Sequence, residues 1–152
     1  MKTREAAISS ADRAWPSSMA PEEYGAFLNQ LLEAERAGAK LLAAYLDELP
    51  QDSVKWKSIR AVQRDEARNC AVLIHLLLEA EARPTPAVGD FYGRGMAIQG
   101  WRERVVFLNR GQGWVAKRIA AALPRVPETA RKPLQDMYDS HVVNIVSCEA
   151  LL

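Results

Sequence analysis

Apolar side chains recur at three- and four-residue spacing through four long proline-poor stretches, the pattern of helices that bury one face. In the first stretch Phe27, Leu31, Gly38, Leu42 and Tyr45 share a face, and in the second Ile59, Val62, Leu73 and Leu76 do. The third places Val105, Leu108, Val115 and Ile119 together, and the fourth Leu134, Met137, Cys148 and Leu151. No stretch keeps up the alternation of a half-buried strand, so the predicted class is all-α.

Prolines and caps set the boundaries. Pro21, followed by Glu22 and Glu23, suits a helix start, and that helix should stop near Leu49 before Pro50. Asp52 or Ser53 would cap a second helix running to about Ala82, ahead of Pro84 and Pro86. A third is expected over about Ile98 to Leu123 and a fourth over about Thr129 to Leu151. Residues 83–97 (RPTPAVGDFYGRGMA) form the one long connection. Short turns at Pro50 and Pro124 around one long link predict two antiparallel hairpins joined by a return, an up-down-down-up four-helix bundle over residues 21–152. Residues 1–20 would form an arm, with Trp15 packing on the bundle. Gly111 and Gly113 fall inside the third helix and call for close packing or a local bulge.

Polar residues interrupt every apolar stripe. Glu35 sits in the middle of the first, Glu66 and Asn69 break the second, and His141 is at the centre of the fourth, followed by Asn144 or Ile145. The third carries Gln112, with Asn109 beside it; the pattern leaves open whether Asn109, Gln112 or Glu103 faces the same interior. A carboxylate near a bundle axis is costly unless it is paired, protonated or bound to a metal. Glu35, Glu66 and His141, converging from three helices, would make a metal site, with Asn69, Asn109, Asn144 and Gln112 as weak ligands or hydrogen-bond partners. The competing expectation is a metal-free buried network in which Arg36, Arg110 or the asparagines hold the carboxylates. A ligand cavity lined by Phe27, Tyr45 and Trp114 is a third expectation.

The remaining polar groups read as surface. His75 falls with Arg64, Arg68 and Glu79, while Asp136 and Asp139 fall with Lys132 and Gln135. Cys70 and Cys148 lie in no metal-binding spacing and read as small core residues.

The halves of the chain also echo each other. Superposing Leu49-Pro50 on Leu123-Pro124 sets Glu35 opposite Asn109 and Arg36 opposite Arg110. With one residue of slack it sets Glu66-x-x-Asn69 over His141-x-x-Asn144.

Composition narrows the setting. In 152 residues, 20 Lys and Arg stand against 19 Asp and Glu, a formal charge of +1 that supplies no basic surface for nucleic acid. The N-terminal segment has no apolar signal core and no stretch is long enough for a membrane span, so a cytoplasmic protein with no membrane partner is expected. No nucleotide or flavin motif is present: Asn109-Arg110-Gly111-Gln112-Gly113 lacks the Lys-Ser/Thr of a P-loop. No heptad seam specifies a partner, though a homodimer along one face is compatible with a bundle of this size.

The segments LLEAERAGAK around Glu35, QRDEARNC around Glu66, LNRGQGWV around Asn109 and SHVVNI around His141 together resemble the ferritin-like superfamily over about residues 21–151. Metal-binding members of that superfamily place a Glu on each of two helices and a Glu-x-x-His on each of the other two. The resemblance implies that Glu35 is a lone Glu ligand and Glu66 the Glu of the first Glu-x-x-His. Asn69 stands where that motif has histidine, and Asn109 falls near the second lone Glu. His141 takes the second histidine slot only if Tyr138 replaces the Glu, whereas the internal repeat puts His141 in the Glu slot. The six-ligand di-iron set is therefore incomplete. What the resemblance implies is a reduced, mononuclear iron or manganese site, with zinc as the alternative, serving an oxygen-dependent oxidoreductase that acts on a small molecule. The alternative is a metal-free structural, interaction or ligand-binding bundle.

Overall fold

The computed structural model describes residues 18–152; Trp15 and most of the expected arm lie outside them. The described residues form five helices and no strand: α1 (Pro21–Asp47), α2 (Val54–Glu79), α3 (Phe91–Met96), α4 (Trp101–Ala122) and α5 (Glu128–Glu149). No described helix is long and apolar enough to cross a membrane.

Local chemistry explains the helix ends. Pro21 opens α1, where its missing N–H costs nothing, and Glu22 and Glu23 favour the positive end of the helix dipole. Of the two expected caps for α2, Ser53 serves: its hydroxyl accepts from the Trp56 amide at 3.2 Å. Asp52 instead takes a left-handed turn conformation, φ 64°.

The expected starts and stops hold to within about three residues, with one correction. The segment 83–97 is not all connection, because residues 91–96 form α3. Its sequence, FYGRGM, has two glycines and little helix propensity of its own. Tertiary contacts hold it instead. The Phe91 ring lies against Gly111, where an added Cβ would come within 2.6 Å of it, and the Tyr45 hydroxyl donates to the Gly95 carbonyl at 2.7 Å. Gly111 thus has the close-packing role its position called for, while Gly113 faces open space.

The rest of the connection is strapped to α1. Asn29 donates to the Arg83 carbonyl and accepts from the Thr85 amide, and Arg36 donates to the carbonyls of Thr85 and Ala87, both at 2.8 Å.

α1 packs on α2 and α4 on α5, and the pairs meet through α2 with α5 and α1 with α4. Two apolar clusters fill the interior ends. One contains Leu28 of α1, Leu73 of α2, Ile119 of α4 and Leu134 of α5; the other contains Leu42, Ile59, Val105 and Cys148 of the same helices. α1 and α5 therefore run one way and α2 and α4 the other. Between the clusters lies a polar layer. Glu35, Glu66, Gln112 and His141 each stand seven residues, about two turns, from the apolar residues on either side: Leu28/Glu35/Leu42, Leu73/Glu66/Ile59, Ile119/Gln112/Val105 and Leu134/His141/Cys148.

Candidate functional site

Each helix face that carries these polar residues is otherwise apolar, so burial of the stripe takes the polar side chains with it. Glu35 and His141 are each 1% exposed, Gln112 2% and Glu66 6%. Asn69 and Asn144 are also buried, and Asn109 is half-buried. His141 Nε2 donates to Glu35 Oε1, which joins α5 to α1 across the interior. Glu66 lies against the α1 backbone at Gly38, where a Cβ would approach its Oε2 to 2.2 Å. Gly38 is therefore what lets this carboxyl group into the layer.

Electrostatics decides the state of Glu66. Burial pushes its carboxyl well above the ordinary value, and the neighbouring Glu35 and Asp65 charges push the same way. Both effects favour the neutral carboxyl over the carboxylate in the metal-free protein. The thiols nearby are neutral as well: burial raises both Cys70 and Cys148 to about 11. Neither cysteine is a thiolate nucleophile or ligand at neutral pH.

The asparagines sort differently from one another. Asn144 donates to Asp65 Oδ2 at 3.0 Å, and Asn109 donates to the Ile145 carbonyl at 3.2 Å. Gln112 donates to Asn109 Oδ1 at 3.1 Å and, from the same nitrogen, to Cys148 Sγ at 3.9 Å. Asn144 and Asn109 thus brace neighbours, while the Asn69 side-chain nitrogen has no partner. Arg36 is committed to the connection and holds no carboxylate of the layer, so that part of the metal-free expectation fails. Glu103 lies exposed near the start of α4 and takes no part.

Four atoms in the layer, one from each long helix, are buried without a hydrogen-bond partner: Glu35 Oε2, Glu66 Oε2, Gln112 Oε1 and His141 Nδ1. Buried polar atoms are nearly always satisfied, so a set of four in one layer singles this layer out as the candidate site. A cavity of about 470 Å³ reaches three of the four residues, Glu35, Glu66 and Gln112. It opens between α1, α3 and α4, with Phe91, Phe107 and Trp114 among its walls. Of the expected aromatic lining only Trp114 belongs here. Phe27 packs on the apolar cluster at one end and Tyr45 is buried in the other, hydrogen-bonded to α3.

Among the described residues no group of three His, Cys, Asp or Glu side chains is poised around one point for a metal. His141 spends the nitrogen nearest Glu35 on a hydrogen bond to that carboxylate, and its unpartnered Nδ1 is the other ring nitrogen. Tyr138 is half-buried against the apolar cluster. The buried pairs are Glu66 with Asn69 and His141 with Asn144, the pairing given by the internal repeat.

Sequence reasoning missed Gly38 as the residue that seats Glu66, Asp65 as the partner of Asn144, and the α3 wall of the cavity. For Gly38, a glycine on an inward stripe one turn from Glu35 was the available signal. The other two depend on which helix packs beside which.

The site thus belongs to an all-α domain with a carboxylate-bearing polar layer opening to a cavity. Residues 22–150 match DUF6306, a domain of unknown function, and the chain belongs to that family. No curated protein and no solved structure matches the chain.

Proposed function

We propose that the chain is a ferritin-like four-helix bundle whose polar layer binds one divalent metal ion, reached through the cavity. The observation that carries this is the trio of unpartnered oxygens, Glu35 Oε2, Glu66 Oε2 and Gln112 Oε1, on residues that line the same cavity. Two buried carboxyl groups with no Lys or Arg partner are costly, and a divalent cation offsets that cost directly. Oxygen donors with a single imidazole suit manganese or iron(II), with zinc as the alternative.

The chain's own residues would act as follows. Glu66, whose burial favours the neutral carboxyl, would hold the ion as a carboxylate after losing its proton to solvent. His141 would hold the ion through Nε2 only by giving up its hydrogen bond to Glu35. Gln112, braced by Asn109, offers its amide oxygen. A bound iron or manganese supplies Lewis-acid or one-electron chemistry at the inner end of the cavity, where a small-molecule oxidoreductase would need it. The opposed directions of α1 with α5 and α2 with α4, and the short, long, short connections, support the ferritin-like reading.

A second reading has its own support. The bonds Asn144 to Asp65 and Asn109 to Gln112 make part of the layer a self-contained network that would fix helix register without metal.

Calorimetric titration of chelator-treated protein with manganese separates the two. The expected outcome is about one ion per chain with proton release, binding lost in Glu66→Gln and weakened about tenfold or more in Gln112→Leu. A wild-type chain that takes up neither manganese, iron(II) nor zinc at millimolar concentration would overturn the metal reading, as would undiminished binding by Glu66→Gln.

A further inference from the structure

The outer half of the cavity is built for something the metal reading does not use. Three arginines line it: Arg94 on α3, and Arg110 and Arg118 on α4, spaced four residues either side of Trp114 so that Arg110, Trp114 and Arg118 share one face of α4. None of the three arginines forms an ion pair among the described residues. Two lie against aromatic faces, Arg118 at 4.7 Å from the Trp114 ring centre and Arg94 at 5.5 Å from that of Phe107. Two carboxylates share the rim: Glu33, which accepts from the Thr85 hydroxyl, and the exposed Asp90 at the start of α3. The three guanidinium groups outnumber the two carboxylates of the rim by one and leave a net positive field at the cavity mouth.

Between rim and floor the walls are flat and apolar. Phe91 and Phe107 stack with ring centres 4.4 Å apart, and Trp114 is 44% exposed, an unusual state for a Trp flanked by cavity residues. The floor presents the unpartnered oxygens of Glu35, Glu66 and Gln112. A volume of about 470 Å³ is in the range of small-molecule sites.

We propose that this cavity binds a small aromatic hydroxy acid, its acid group held by the rim arginines, its ring against Phe107 and Trp114, and its hydroxyl directed to the unpartnered oxygens of the floor. The charge order is what selects this class: cationic rim, aromatic walls, oxygen-rich floor. Guanidinium groups take carboxylates with two hydrogen bonds, and a hydroxyl is the smallest group that satisfies a bare carboxylate or amide oxygen. The proposal goes beyond the metal reading and does not require it, because a hydroxyl donates to these oxygens in the metal-free protein and offers its own oxygen to an ion when one is bound.

Three probes with one ring separate the features: 4-hydroxyphenylacetate, phenylacetate and tyramine. Titrations by calorimetry use the full chain, first with chelator and then with added manganese. The expected order with chelator is 4-hydroxyphenylacetate tightest, phenylacetate several-fold weaker, and tyramine weaker by about tenfold or more. The double variant Arg110→Ser, Arg118→Ser should lose about tenfold or more for both acids while keeping the wild-type unfolding temperature and manganese uptake. The proposal is overturned if tyramine binds as tightly as the acids, if the double variant binds them like wild type, or if neither acid gives heat at millimolar concentration. Equal affinity for the two acids overturns the placement of the hydroxyl. Because the first series contains no metal, a chain that binds the acids but never manganese would refute the metal reading and leave this one standing.

Discussion

Leu28, Leu73, Ile119 and Leu134 meet at one end of the interior with complete burial and no polar side chain among them. Two turns away, on the same faces of the same helices, Glu35, Glu66, Gln112 and His141 meet and leave one polar atom each unpartnered. The two layers have the same backbone support and opposite energetics. The apolar layer gains from removing side chains from water, whereas the polar layer gives up hydration for hydrogen bonds that do not fully replace it. A protein that keeps such a layer between two well-packed apolar clusters carries a stability cost there, at a layer that the cavity reaches.

The contrast can be broken first from the apolar side. Leu134→Ala removes a fully buried side chain and should cost roughly 2–5 kcal/mol, read by denaturant unfolding. It should leave manganese uptake intact when measured well below the unfolding transition. A loss smaller than that of any single substitution in the polar layer would mean the polar layer is the stabilising one.

A pair of glycines sharpens it next. Gly38→Ala drives a methyl group into the Glu66 carboxyl and should cost roughly 1–3 kcal/mol, along with metal binding. Gly113→Ala, on the same kind of helix interior but facing open space, should instead stabilise by up to about 1 kcal/mol. Equal unfolding midpoints for the two variants would show that Gly38 does not seat Glu66.

The smallest effect is in the pH dependence. Glu66 has a folded pKa raised above its ordinary 4.5, so the folded state holds its proton more tightly than the unfolded chain does. Its stabilising contribution is complete below about 4.5 and is lost as pH rises through the folded pKa, at no more than about 1.4 kcal/mol per pH unit. Glu66→Gln should abolish that slope and equal or exceed the wild type in stability at neutral pH without metal. Manganese should flatten the slope in the wild type alone. A wild-type curve parallel to that of Glu66→Gln from about pH 4.5 upward would mean that Glu66 is ionised and already compensated.

The periodicity of each helix carried most of this layering. Phasing on Ile59, Val62, Leu73 and Leu76 was enough to bury Glu66 and Asn69, and phasing on Leu134, Met137 and Cys148 was enough to bury His141 but left Asn144 and Ile145 open, between which the fold buries Asn144. Such faces are legible because helical geometry is local and burial of a stripe is collective. The outward placement of His75, paired with Glu79 at 2.9 Å, and of Lys132 with Asp136 at 2.7 Å, follows from the same phasing.

Partners were not legible in that way. Arg36 and Glu35 are neighbours in sequence, yet a helix turns about 100° per residue, so one reaches the connection and the other the interior. The short helix α3 has too little propensity to announce itself and exists because Gly111 and Tyr45, from two other helices, receive it. The sequence by itself therefore determined an all-α chain, the four long helices and the burial of Glu35, Glu66, Asn69 and His141, while leaving open the inward polar residue of the third long helix. Only the tertiary structure decided that His141 would spend a nitrogen on Glu35, that Gly38 would make room for Glu66, and that three arginines would surround one opening. The physical reason is range: periodicity fixes which way a side chain points from its own axis, while its partner depends on which axis lies opposite.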